Sequence, residues 1–418
     1  FTGCLAHADI TRVEGNQPAF LRVVGYFEHD EQCSIAVIKR FPAVPLHPHV
    51  YEVAVRQLRE GRVYSSIGQI RNKNMDMVQQ QTYREQRTTD PNTSNHRYQI
   101  LPGDFSRLYR YHYRETFGID VSIAPEHNVD NWMNPQSIHF KREIYDAVFH
   151  YAPRADRGER LKVCISTQEM RDGAWKYCHK RQLVLDGTFG LCTSRLLLWI
   201  AMGIDESGSG LPVAMFLFSA PTGNKATHAG YDTHILAKLL GEWNKWLGND
   251  SDGNAFEPAV GMTDTDTKER GALLIVWENI LLLLCKFHVR QCWTNKRSAL
   301  LGKTESYWRT YVEKRLQILE EALLQSTKHN AATQLVDRQD EDFRNIIATD
   351  TQAKAAGEAG LKFIVYLRQT WMPVDLWQSW SKRGREDAAT KMGIPIDEVL
   401  PTTNHLEAFN GSLKKSHL

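Results

Sequence analysis

The stretch RQLVLDGTFGLCTSRLLLWIAMGIDESGSGLPVAMFLFS, residues 181–219, decides the fold. An apolar run at 182–185 ends at Asp186-Gly187. A second run at 196–204 meets the turn-forming Asp205-Glu206-Ser207-Gly208, and a third at 213–219 returns from it. Apolar runs of this length between turn residues read as strands, and three in succession read as an antiparallel meander. Downstream the text predicts a helix over 232–247, a strand ending at Thr263-Asp264, a helix over 268–278, a strand over 280–285 and a helix from Val289. The order β-β-β-α-β-α-β-α predicts an α/β fold, a mixed sheet with helices on its faces. From 304 to 400 the pattern is helical throughout.

Working back from this stretch, residues 1–50 mix Cys and His with β-type runs at 21–26 and 34–39, and read as a small β-rich module. Residues 51–98 form a helical segment of DNA-binding type that leads into a polar linker. Two short helices around Gly61 resemble a helix-turn-helix, though ordinary helical hairpins read the same way. Residues 75–98, rich in Gln, Asn, Thr and Arg, read as the linker or exposed loop. Residues 99–180 are a helical lead-in, 181–303 the sheet-bearing core, 304–400 a helical insertion, and 401–418 a final helix returning to the core.

The 418 residues are 42% hydrophobic and 24% charged, a globular composition long enough for more than one core. With a formal net charge of +2, attraction to nucleic acid must come from local patches. One such patch is Arg107, Arg110 and Arg114, interleaved with Phe105, Leu108 and Tyr109. That arrangement can track a phosphate backbone, and it equally suits an amphipathic helix with solvated arginines. The seven cysteines are scattered, with no disulfide framework, and favour a reducing compartment. No apolar run approaches the length of a membrane span. Opening at Phe1 without Met and stopping at Leu418 inside a helical pattern, the chain is expected to be a piece of a longer protein.

Transfer of a phosphodiester needs neutralised charge between the attacking and leaving oxygens. Two divalent metals held by carboxylates supply this, and magnesium suits such oxygen donors. Asp186 stands at the end of the first core strand and Asp264 at the end of the strand over 259–263. If those strands are neighbours with matched ends, their carboxylates meet. Each acid alone has a plainer reading, because Asp before Gly is a common turn and Asp264 or Asp266 can cap the following helix.

The runs LVLDGTFG at 183–190, GMTDTDTKERGAL at 261–273, CKFH at 285–288 and TTNHLEAFNGSLKK at 402–415 together resemble the Mutator-like element (MULE) transposases, in a fungal-type version. The resemblance spans roughly residues 100–418, with the motifs in the family's order. It implies an RNase H-like fold, an Asp-Asp-Glu catalytic set holding Mg2+ or Mn2+ as two ions, and a helical insertion before the final Glu. Carried over, the acids are Asp186, Asp264 and Glu407. Asp266 is the alternative second acid, otherwise a helix cap or a supporting carboxylate.

The resemblance also marks Cys285 and His288 as a family pair near the active site. Two ligands do not complete a tetrahedral zinc site, so Cys178, His179 or Cys292 would have to join. The alternative is a buried structural pair. At the other end, Cys4, His7, His29 and Cys33 form two pairs at zinc-like spacing, with His47 and His49 in reserve, and MULE proteins often carry Cys/His zinc fingers upstream of the core. The expected function is a nuclear, homo-oligomeric DNA transposase that cleaves element ends and transfers the 3′-hydroxyl into double-stranded target DNA. The rival is a domesticated, cleavage-inactive DNA-binding transcriptional regulator.

Overall fold

The computed structural model describes residues 7–13, 19–26, 46–60, 67–86, 96–153, 159–188, 196–221 and 230–416. The chain divides into two compact units, Phe1–Ser122 and Ile123–Leu418.

In the first unit β1 (His7–Val13) and β2 (Ala19–Tyr26) pair antiparallel, with a register irregularity between Thr11 and Arg12. Of the N-terminal zinc candidates, Cys4, His29 and Cys33 lie outside the described residues, and His7 opens β1 opposite Tyr26. Three helices follow: α1 (Pro48–Glu60), α2 (Ile67–Gln79) and α3 (Phe105–Phe117). Their apolar stripes meet in one core containing Leu46, Val50, Val53, Ile70, Phe105 and Leu108.

The segment expected to be a polar linker is largely built into this unit. Asn74, 2% exposed, donates to Tyr83 Oη (2.9 Å) and the Tyr98 carbonyl (2.8 Å), and accepts from the Ile100 N–H (2.9 Å). One buried amide thus satisfies backbone groups that a polar composition would otherwise leave to water. His47, a reserve ligand in the sequence reading, is also buried; its Nε2 meets Glu85 Oε2 at 3.2 Å and its Nδ1 accepts from the His49 N–H at 3.2 Å. His49 Nδ1 in turn accepts from the Arg84 N–H (2.9 Å). Arg107, Arg110 and Arg114 are all exposed on α3.

The second unit opens with α4 (Pro125–Met133) and α5 (Arg142–Ala147) and is built on a seven-stranded sheet. Its strands are β3 (Val148–Ala152), β4 (Lys162–Ile165), β5 (Gln182–Thr188), β6 (Leu197–Ile204), β7 (Gly210–Phe218), β8 (Val260–Thr263) and β9 (Leu281–Leu284), in the spatial order β3-β4-β7-β6-β5-β8-β9. From β3 to β5 every pairing is antiparallel, whereas β5-β8 and β8-β9 are parallel. The two parallel steps use helical connections, α7 (Thr233–Leu247) before β8 and α8 (Thr267–Val276) before β9, as parallel pairing requires. The expected lead-in over 99–180 is therefore not one element. Residues up to 122 belong to the first unit, and 123–180 contribute β3, β4 and α6 (Gln168–Tyr177) to the second.

Side-chain alternation assigns the sheet's two faces. Leu183, Leu185, Trp199 and Phe216 point into a core closed by α7, where Trp243, Phe256 and Trp277 meet edge to face. Val184, Ile200, Met202, Val260 and Met262 point the other way, onto Ala388 and Ala389 of α14 (Lys382–Met392) and Leu406 of α15 (Asn404–Ser416). In the chain between β9 and α14, a helical layer of α9 (Lys286–Leu301), α10 (Tyr307–Leu324), α11 (His329–Thr349), α12 (Lys354–Tyr366) and α13 (Val374–Trp380) packs around Trp293, Trp377 and Trp380. Among the described residues no helix is long and apolar enough to cross a membrane.

Candidate active site

The site lies where the parallel strands end. Val184 pairs with Met262 and Thr263 with Leu284, so continuing the register sets Asp186 level with Asp264 and Cys285, which directly follow β8 and β9; Asp186 itself lies within β5, which runs on to Thr188 where the sequence reading ended the strand. The Cys285 N–H donates to the Thr263 carbonyl (2.9 Å), which holds that level. Carboxyl ends of parallel strands are where open α/β sheets present their chemistry, because the connecting helices leave a crevice there.

Glu407 arrives from the far end of the chain on α15. The Thr403 carbonyl accepts the N–H groups of Leu406 (2.9 Å) and Glu407 (3.1 Å), forming the first turn. Thr403 itself is buried and donates to Cys285 Sγ from its N–H (3.4 Å) and from Oγ1 (3.5 Å). Leu406 anchors the helix in the sheet's second core. Glu407 and Asn410, one turn apart, share the face turned to the strand ends. Glu407 Oε1 lies 3.5 Å from His288 Nε2, and Asn410 Nδ2 donates to Asp186 Oδ2 at 3.4 Å.

Asp266 takes the helix-capping role. Its Oδ1 accepts the Lys268 N–H (2.7 Å) at the start of α8, and its Oδ2 accepts from Tyr231 Oη. The Asp266 N–H in turn donates to Asp264 Oδ1 (2.6 Å), so the cap helps fix the aspartate two positions earlier.

A further acid stands beneath this row, one that sequence reasoning left among ordinary helix charges. Glu269 in the first turn of α8 is 4% exposed, and its Oε2 has no hydrogen-bond partner. Its Oε1 lies beside Gly187, where a Cβ would stand 3.6 Å away, in ordinary contact. Thr403 and Asn410 were likewise not singled out by sequence. Asn410 alone had a readable signal, its place one helical turn after Glu407.

The electrostatics follow from burial and crowding. Burial, then the charges of Asp264 and Glu407, push the Asp186 carboxyl up to about 6 against the opposing pull of His288. Asp264 is raised by burial and by Asp266, with the Asp266 N–H and His288 opposing. Burial and the charges of Asp264, Asp186 and Asp266 push Glu269 well above the usual carboxylate range. Contact with the Cys285 sulfur, together with Asp264 and Glu407, lifts His288 to about 8 despite burial. Burial raises the Cys285 thiol, but contacts with His288 and Thr403 outweigh it and bring it down to about 7.

Carboxylates gathered at one edge of a sheet are oxygen donors of the kind that suit a hard divalent cation. Asp186, Asp264 and Glu407 are the residues that would hold it. Among the described residues no three His, Cys, Asp or Glu side chains stand close enough together as they are to hold a metal ion. Zinc at the Cys285/His288 pair is not supported. Cys178 is buried in the core on the α7 face of the sheet, His179 Nδ1 accepts the Glu257 N–H (3.1 Å), and Cys292 packs in the helical layer.

The chain matches no family model and no curated protein sequence.

Proposed function

We propose that the second unit is the catalytic core of a DNA transposase of the Asp-Asp-Glu type, with an RNase H-like sheet, acting on double-stranded DNA. One observation carries the reading: Asp186 and Asp264 stand level on adjacent parallel strands, and α15, separated from them by the helical layer, brings Glu407 and Asn410 to the same edge. The meander β5-β6-β7, followed by two parallel strands reached through helices, is the strand pattern expected of such a core. So is the helical layer between β9 and α15.

Bound magnesium or manganese would supply charge neutralisation between attacking and leaving oxygens and activate the attacking one. The chain's own residues do the rest. His288 orients Glu407, Thr403 fixes the start of its helix, and Asn410 holds one Asp186 oxygen. The Asp266 N–H holds one Asp264 oxygen. Cleavage of element ends and joining of the freed 3′-hydroxyl to target DNA would use this one edge, in a nuclear protein that pairs two ends as a homo-oligomer.

The test is nicking of the protein's own terminal repeats with magnesium or manganese. Asp186→Asn should abolish cutting and spare binding, because Asn loses the charge that retains metal while affinity comes from contacts to phosphate. Asp266→Asn should cut nearly as well as the unaltered protein, since Asn caps a helix about as well as Asp. Wild-type protein that binds the repeats and cuts under neither metal would replace this reading with the DNA-binding regulator.

A further inference from the structure

Around the carboxylate edge the side chains open toward solvent in order. Cys285 is sealed in the core, His288 is 22% exposed, and Glu407, 3.5 Å from it, is 38% exposed. Phe287, in the same turn of α9, is 46% exposed, and its ring meets the His288 imidazole edge to face with centroids 5.5 Å apart. Asp186 and Asp264 are half-buried, so a phenyl ring open to solvent stands one side chain away from a recessed set of acids.

One exposed phenylalanine is ordinary by itself. The helix that carries this one, however, sorts its residues sharply. Val289, Trp293 and Arg297 are buried, whereas Phe287, Gln291, Thr294 and Ser298 follow one another at helical spacing as an exposed stripe. No acidic residue occurs between 286 and 301, and Arg290 and Arg297 are met by Glu321 and Glu320 of α10. The stripe thus carries no carboxylate to repel a polyanion, and its aromatic member lies at the end next to the acids.

We propose that Phe287 is a stacking residue, whose exposed ring holds one unpaired base of the DNA strand that presents its phosphate to the carboxylate edge. A phosphate drawn in among half-buried acids pulls its nucleotide out of line with the stacked bases on either side. A base that leaves the stack loses its neighbours' faces, and an aromatic ring replaces one of them for any base, because every base has a π-face. The phenyl ring brings no hydrogen-bonding group, so the contact favours an unpaired base without selecting its identity. That the strand is DNA rests on the function proposed above.

The experiment uses the full chain and labelled duplexes of the terminal repeat, with calcium as the divalent ion and binding followed by anisotropy. One nucleotide is left unpaired at successive positions near the repeat end and carries either adenine or no base, so that the phosphate is the same in both forms. At one position the wild type should bind the adenine form about ten-fold tighter than the abasic form. Phe287→Ala and Phe287→Leu should bind the two forms alike, and Phe287→Trp should keep the preference, since Leu fills space without an aromatic face and Trp supplies one. The side chain is exposed, so all three variants should fold. The readout needs no cutting: a wild type that prefers the adenine form yet never nicks in magnesium loses the catalytic reading and keeps this one. Normal nicking with no preference at any position overturns this one alone. A preference that survives in Phe287→Ala or Phe287→Leu overturns it too, placing the base on another group.

Discussion

Asp186 shows how the site holds energy against folding. Its folded value of about 6 stands above the ordinary 3.8, an upward shift caused first by burial and then by Asp264 and Glu407. The sign follows: any stability the group lends is full below 3.8 and is lost as pH rises through about 6. At pH 7.5 the metal-free protein therefore carries a penalty, with an upper limit of about 3 kcal/mol. Asp186→Asn should raise the melting temperature of metal-free protein at that pH by a few degrees, and the gap should close as pH falls toward 4. Magnesium should raise the melting temperature of the wild type and leave the variant unmoved. A metal-free variant less stable than wild type at pH 7.5 would show that the carboxylate is satisfied in some other way. Asp186 and Asp264 were readable in sequence because acids at strand ends are visible as a pattern. Glu269 was not, since within Lys268-Glu269-Arg270 it looks like any solvated helix acid, and only the close packing of α8 on the sheet buries it.

At the scale of elements, α15 decides whether the site is assembled. The helix from Asn404 onward, with Glu407 in it, was marked in the sequence by the resemblance of TTNHLEAFNGSLKK, and in the structure Leu406, Phe409 and Leu413 form its buried face. What attaches it was not legible: the bonds from Thr403 to Cys285 join residues 118 positions apart. Thr403→Val preserves shape and removes the hydroxyl that touches Cys285 Sγ and, at 3.4 Å, Glu407 Oε1. Stability should fall by about 1 kcal/mol, read from the urea midpoint. Cleavage should fall by roughly ten- to a hundred-fold, because a catalytic group displaced by a fraction of an ångström loses far more rate than one weak hydrogen bond is worth in stability. Duplex affinity should be unchanged. A variant that cuts at the wild-type rate would show that Leu406 and the second core alone place the helix. The strands β3 and β4 show the opposite limit, since every residue of β3 is half-buried and no alternation marks it.

In the whole molecule the sheet core was legible because 181–303 alternates apolar runs with turn residues and helical periods. The division of the chain was less so. The polar text of 75–98 hid Tyr83 and Tyr98, which join the core of the first unit, and the role of Asn74 just before it. The boundary instead falls after α3, where Gly118 ends the helix at φ 67°, a left-handed conformation suited to glycine, and Pro125 opens α4. The two units then carry separable properties. The second contains Asp186, Asp264 and Glu407 with three apolar cores of its own, whereas the first carries the exposed Arg107, Arg110 and Arg114 on α3. A fragment of residues 123–418 should therefore melt cooperatively and keep the magnesium-dependent rise in melting temperature. It should bind terminal repeats no better than arbitrary duplex, since base-specific recognition would have left with the first unit. Magnesium stabilisation absent from a fragment that still melts cooperatively would place part of the metal site in residues 1–122. Undiminished preference for the repeats would move recognition to the sheet-bearing unit and leave the arginines of α3 as solvated surface.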